Sequence, residues 1–166
     1  MKKFFLPVAV LALLSTAHAS QKIGVFVLGA QYERDLNASD SVRFGLGLPL
    51  AAMTNGGGAL VLSGDVAFLR HTGSSSNTVQ PYYGAALGLA TVLGSDQNVA
   101  VGGVVLYPNV LGGLNFNVTS TVSLFAEGSV GPRAIFAAVS DGTNRASGTQ
   151  IGLGYGVRLG INYTLR

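Results

Sequence analysis

Apolar and polar residues alternate along most of this chain with a period of two. The stretch from Gln150 to Leu165 shows it best. Ile151, Leu153, Tyr155, Val157, Leu159, Ile161, Tyr163 and Leu165 are apolar. Between them stand Gln150, Gly152, Gly154, Gly156, Arg158, Gly160, Asn162 and Thr164. Successive side chains of a strand point to opposite faces, so this period predicts a strand with one apolar face. Val42, Phe44, Leu46, Leu48 and Leu50 repeat the pattern against Ser41, Arg43, Gly45, Gly47 and Pro49. So do Leu60, Leu62, Gly64, Val66 and Phe68 against Val61, Ser63, Asp65 and Ala67. Leu114, Phe116 and Val118 face away from Asn115 and Asn117, and Leu124, Ala126 and Val130 from Phe125, Glu127 and Ser129. No long stretch carries the helical spacing of three and four.

Turn-rich clusters divide the chain at 35–40, 54–58, 72–78, 94–98, 108–109, 119–121 and 140–148. They leave strand-like segments at 22–34, 41–53, 59–71, 79–93, 99–107, 110–118, 122–139 and 149–165. The break at Pro108-Asn109 is the weakest, and 99–118 reads equally as one bent strand. Eight strands are preferred because single-chain bacterial barrels have even numbers.

An antiparallel sandwich and a membrane barrel both alternate, with opposite interiors. The nature of the polar face separates them. Here it is mostly glycine, serine, alanine and asparagine. A solvent-facing side would carry many lysines and glutamates, and its edge strands would carry blocking charges. Small residues instead suit the crowded inside of a narrow closed barrel. Composition agrees: 10% of residues are charged and 24 of the 166 are glycine, where soluble domains average about 25% charged. Helical spans between Gln97 and Ala126 fail on their glycines, Pro108 and period. The expected fold is therefore an all-β, transmembrane, antiparallel up-and-down barrel. Closure gives every backbone N–H and C=O an internal partner, as lipid demands.

Lys2 and Lys3, the apolar run Phe4–Leu14 and the small-x-small triplet Ala17-His18-Ala19 predict a signal peptide over 1–19. Ser20–Arg166 is then the barrel domain. Without Lys2 and Lys3 it holds eight basic and seven acidic residues. No basic face remains for nucleic acid. The absence of cysteine excludes disulfides, thiolate zinc sites and cysteine nucleophiles.

The segment "RLGINYTL" (158–165) resembles the C-terminal assembly signal of bacterial outer-membrane barrels, with Arg158, Gly160, Tyr163 and Leu165 in its polar, glycine, aromatic and final apolar places. Arg166 extends past the usual end. The hairpin 110–131, with "SLFAEGSVG", is similar to the small eight-stranded OmpA/OmpX/OmpW-like class. That resemblance implies residence in the cell outer membrane and contact with its lipid and with the barrel-assembly machinery; the sequence leaves the oligomeric state open, with a monomer preferred.

Candidate chemistry is sparse. By alternation Arg43, Asp65, Glu127 and Arg158 face inward. They form either a polar passage or a set of ion pairs plugging the lumen, and the plug is preferred because eight strands leave little bore. Lipid A deacylases of similar fold use His, Ser and Glu. Here "RHTGSSSN" offers His71 and Ser74, but Gly73 stands where their His-x-Ser spacing needs serine. His71 is expected at the membrane–water boundary. Tyr32, Tyr82, Tyr83, Tyr107, Tyr155 and Tyr163 are candidates for interfacial girdles. No metal cluster or cofactor fingerprint stands out, and "GLGYG" (152–156) lies inside a strand, a poor phosphate cradle. The expected role is structural or surface-interacting, not enzymatic. The alternative is a narrow pore for ions or small apolar solutes.

Overall fold

The structure, a computed structural model, describes residues 20–27, 29–47, 60–73, 77–96, 99–140 and 145–165. The expected signal peptide, the segment 48–53, Ser74 and Arg166 lie outside them. Eight strands form one closed ring: β1 (Gln21–Phe26), β2 (Gly29–Asp35), β3 (Asp40–Gly47), β4 (Leu60–His71), β5 (Val79–Asp96), β6 (Val99–Asn117), β7 (Val122–Ser140) and β8 (Arg145–Leu165). Each pairs antiparallel with its chain neighbour, and β1 closes on β8. The ring is thus the up-and-down barrel that the alternation predicts.

The count of eight matches expectation, but two boundaries differ. Segment 22–34 is two strands, and the chain turns at Val27 between them. That turn has no cluster of turn residues to announce it. It is tight because of Gly29, where a Cβ would overlap the Phe26 ring and the Leu46 carbonyl. Conversely, 99–107 and 110–118 are one strand, β6. Pro108 is tolerated there because it falls opposite Pro132. The β6–β7 pairing runs to Leu106–Ala134 and resumes at Val110–Val130. Two residues that both lack an N–H thus share one gap in the ladder.

Pairing also fixes the stagger. The row through Val25 passes Ala30, Leu46, Gly64, Leu89, Leu106 and Ala134 to reach Ile151, whereas Val25 itself faces Ile161, ten residues further. Such a stagger tilts the strands by about 35–45°. The wall is level at the end that carries the start of β1 and the end of β8, here the terminal end. At the opposite, far end it is uneven. β1 has 6 residues and β8 has 21. Val27 N–H donates to the Leu159 carbonyl at 3.2 Å, and above that point β8 pairs only with β7 among the described residues. Exposure rises from 51% at Leu159 to 81% at Val157 where β1 stops shielding β8.

The odd residues of β8 from Ile151 to Leu165 point outward, while Arg158 and Asn162 point inward. The buried apolar side chains Ala67, Leu69, Tyr82, Leu111 and Phe125 fill the lumen. The exposed large apolar residues clothe the outside. No described helix is long and apolar enough to cross a membrane; these strands carry the apolar surface instead.

Candidate functional site

Among the described residues, two polar layers cross the lumen, with a cavity towards each end. The middle layer joins five strands. Arg43 on β3 donates from Nη1 to Glu127 Oε2 at 2.5 Å and from Nη2 to Oε1 at 2.9 Å. Tyr82 on β5 donates its hydroxyl to Glu127 at 3.1 Å. Arg158 on β8 donates to Asp65 on β4 at 2.5 Å, and Arg43 Nη2 stands 3.9 Å from the other Asp65 oxygen. The Arg158 guanidinium lies over the Phe26 ring, 4.4 Å from its centre. β3 and β7 are four places apart in a ring of eight, as are β4 and β8. Both pairs therefore join opposite walls and cross the bore. The structure brings Arg43, Asp65, Glu127 and Arg158 into one cluster.

Glycine makes the layer possible at two points. A Cβ at Gly45 would overlap the Asp65 carboxylate, and one at Gly113 would lie 2.5 Å from the Tyr82 ring. Long side chains from one wall thus lie against bare backbone on another.

The second layer lies at the terminal end, and alternation alone does not reveal it. Lys22 Nζ is 2.8 Å from Glu33 and 3.5 Å from Asp35. His71 Nε2 lies 3.1 Å from both Glu33 Oε1 and Ser41 Oγ. Gln31 donates to Asn162 across the β1 strand at 2.8 Å. Gln31, Glu33 and Asp35 share one phase, a signal obscured when β1 and β2 are read as one segment. His71 is 8% exposed, so at the end of β4 it faces the lumen.

The contact of hydroxyl, imidazole and carboxylate is not a hydrolytic arrangement. Activation of a hydroxyl uses one ring nitrogen while an acid orients the other. Here Ser41 and Glu33 share Nε2, Nδ1 has no partner, and Ser41 is fully buried. Glu127 is engaged in the layer above. Glu33, Asp35 and His71 can converge as metal ligands, but the Lys22 ammonium already stands between the two carboxylates.

Beyond the middle layer, towards the far end, is a cavity of about 300 Å³. Phe26, Asp65 and Arg158 lie at its base, Ala86 and Gly88 on its wall, and Arg133 also lines it. Of the six tyrosines, Tyr83, Tyr155 and Tyr163 are exposed on the outer face. Tyr32 shares it, because it pairs directly with the exposed Ile23 and Phe44. Tyr82 and Tyr107 do not: Tyr82 holds Glu127, and Tyr107 lies 3.4 Å from Ser129 inside the barrel. Of the residues in the C-terminal motif, Arg158 joins the middle layer. Gly160 lies under Phe125, which a Cβ there would approach to 2.6 Å. Tyr163 and Leu165 face outward beside β1.

No family model matches this chain, and no curated protein matches it. Solved structures do resemble it. The N-terminal β-barrel domain of Pseudomonas aeruginosa OprF aligns with a TM-score of 0.54 at 12% identity, covering 89% of this chain and 96% of that one. A major outer membrane protein from Thermus thermophilus aligns at 0.51 and 14%, covering 90% and 100%. Neisserial surface protein A aligns at 0.51 and 16%, covering 87% and 93%. The chain has the fold of these small outer-membrane barrels.

Proposed function

We propose that this chain is a structural barrel of the bacterial outer membrane whose lumen is closed by two ion pairs that cross the bore. The observation that carries this reading is the pairing of Arg43 with Glu127 and of Asp65 with Arg158 between opposite walls. The outer apolar face meets lipid. Residues 1–19 are the removed export signal, and 20–166 form the barrel domain. Arg158, Gly160, Tyr163 and Leu165 present the terminal strand to the assembly machinery. The barrel works as a monomer, without a cofactor, and its role is envelope support or display of its far-end loops. It is not an enzyme: the buried, one-sided Ser41–His71–Glu33 contact supports this reading.

The second reading is a narrow pore, favoured by the cavity above the middle layer. Planar-bilayer recording of the refolded chain separates the two. The closed lumen predicts a silent membrane. Steady single-channel steps would favour the pore.

A further inference from the structure

We propose that the far half of the lumen is a blind chamber that binds a small amphipathic anion, a carboxylate on a short apolar chain. The inference rests on the closed middle layer of the proposed function, which makes that layer a floor. It begins with Arg133. This residue lines the cavity and is itself exposed to solvent, so that it can meet a ligand entering from the far end. It lies level with Tyr107, inside the gap in the β6–β7 ladder. Every other arginine or lysine of the cavity lining has an acid: Arg43 has Glu127, and Arg158 has Asp65. Arg133 makes no ion pair or hydrogen bond among the described residues. The charged lining is thus Arg43, Arg133 and Arg158 against Asp65 and Glu127, an excess of one positive charge.

The rest of the lining suits a short chain. Ala86, Gly88, Ala90 and Leu111 form an apolar wall, while the Ser129 and Tyr107 hydroxyls stand near one another as the polar groups. Mostly apolar walls with a few placed polar groups are the usual make-up of a small-molecule site, and about 300 Å³ is the low end of their size. That volume equals about ten waters at ~30 Å³ each, which suits an anion of roughly ten heavy atoms. A guanidinium is the group best matched to a carboxylate, which it can hold through two parallel bonds.

The test uses octanoate and the full barrel in phosphatidylcholine nanodiscs, with calorimetric titration against empty discs. Saturable one-to-one uptake is expected. Octanol, which has no charge, and acetate, which has no chain, should bind weakly. Arg133→Gln should lose affinity by at least about tenfold, as expected for a lost charge-assisted contact, and Arg133→Lys should recover part of it. Gly88→Val should weaken uptake by narrowing the chamber; the first added carbon meets Tyr107 at an ordinary 3.5 Å, so the fold accepts it. A shift in gel migration on boiling, equal to that of the wild type, checks that both variants fold. Octanoate uptake no greater than in empty discs would overturn the proposal, as would wild-type affinity in both Arg133→Gln and Gly88→Val. Steady conductance with octanoate binding intact would instead overturn the closed floor and leave the chamber standing.

Discussion

Glu127 accepts from Arg43 twice and from Tyr82 once. Both carboxylate oxygens are therefore satisfied, and the residue is 7% exposed. Taking one partner from such a pair leaves the other charge buried and uncompensated, which costs about 3–5 kcal/mol. Glu127→Ala should lower barrel stability by about that amount, read from the urea midpoint in lipid vesicles. Glu127→Gln keeps the shape but loses the charge, and should fall between wild type and alanine. An unchanged midpoint in Glu127→Ala would mean that water solvates the carboxylate. Sequence alone can place Arg43, Asp65, Glu127 and Arg158 on one side of their strands, because alternation needs only the period of two. It cannot say which arginine meets which acid. That depends on the ten-residue stagger, a property of all eight pairings together. His71 shows the limit more sharply. Its phase matches Asp65 and Ala67 on the same strand, yet its contact with Glu33, two strands away in the ring, is not legible from the sequence.

Among the elements, β8 and the β6–β7 pair are the most informative. Val157 points to the outside, six residues above Tyr163. At a tilt of about 40° and ~3.3 Å per residue that is about 15 Å along the axis, close to half of an apolar band about 25 Å tall. Val157→Arg should therefore destabilise the barrel by about 2–4 kcal/mol in lipid. Tyr163→Arg, nearer the interface, should cost about 0–1 kcal/mol. Equal losses at both sites would contradict the placement of the band. Among the described residues β8 also has an open edge. Leu159 turns its carbonyl towards β1, and Thr164 turns its N–H towards the β6–β7 turn. Residues of β8 with odd numbers thus direct their backbone groups away from β7. The amides of Tyr155 and Val157 should exchange hydrogen faster than those of Ile161 and Tyr163, which β1 covers; slow exchange at all four would show that another segment covers the edge. The unity of β6 is hidden in the sequence. Proline usually ends a strand, and only the facing Pro132, distant in sequence, lets Pro108 stay. The hairpin of β1 and β2 is hidden for the opposite reason, since one glycine placed against Phe26 takes the place of a whole turn cluster.

For the whole molecule, the wall rises from the short β1–β2 hairpin to the long β7–β8 pair, while the terminal end stays level. Lys22, Glu33, Ser41 and His71 form a polar layer towards the terminal end, whose mouth holds a cavity of about 570 Å³, the middle is crossed by ion pairs, and the far half holds the cavity of about 300 Å³. Small inward residues and large outward ones are legible from the sequence because closure in lipid inverts the usual distribution of polarity. The placing of layers and cavities is not, because it arises from the register of all eight strands together. The central claim is that this ring stands in a membrane with the odd residues of β8 against lipid. Spin labels on single cysteines from 156 to 161 test it most directly, since the chain has no cysteine of its own. In vesicles, labels at 157, 159 and 161 should be relaxed by oxygen dissolved in lipid, while labels at 156, 158 and 160 should be shielded from it. Equal oxygen access along the whole run, or access in the opposite phase, would contradict the account.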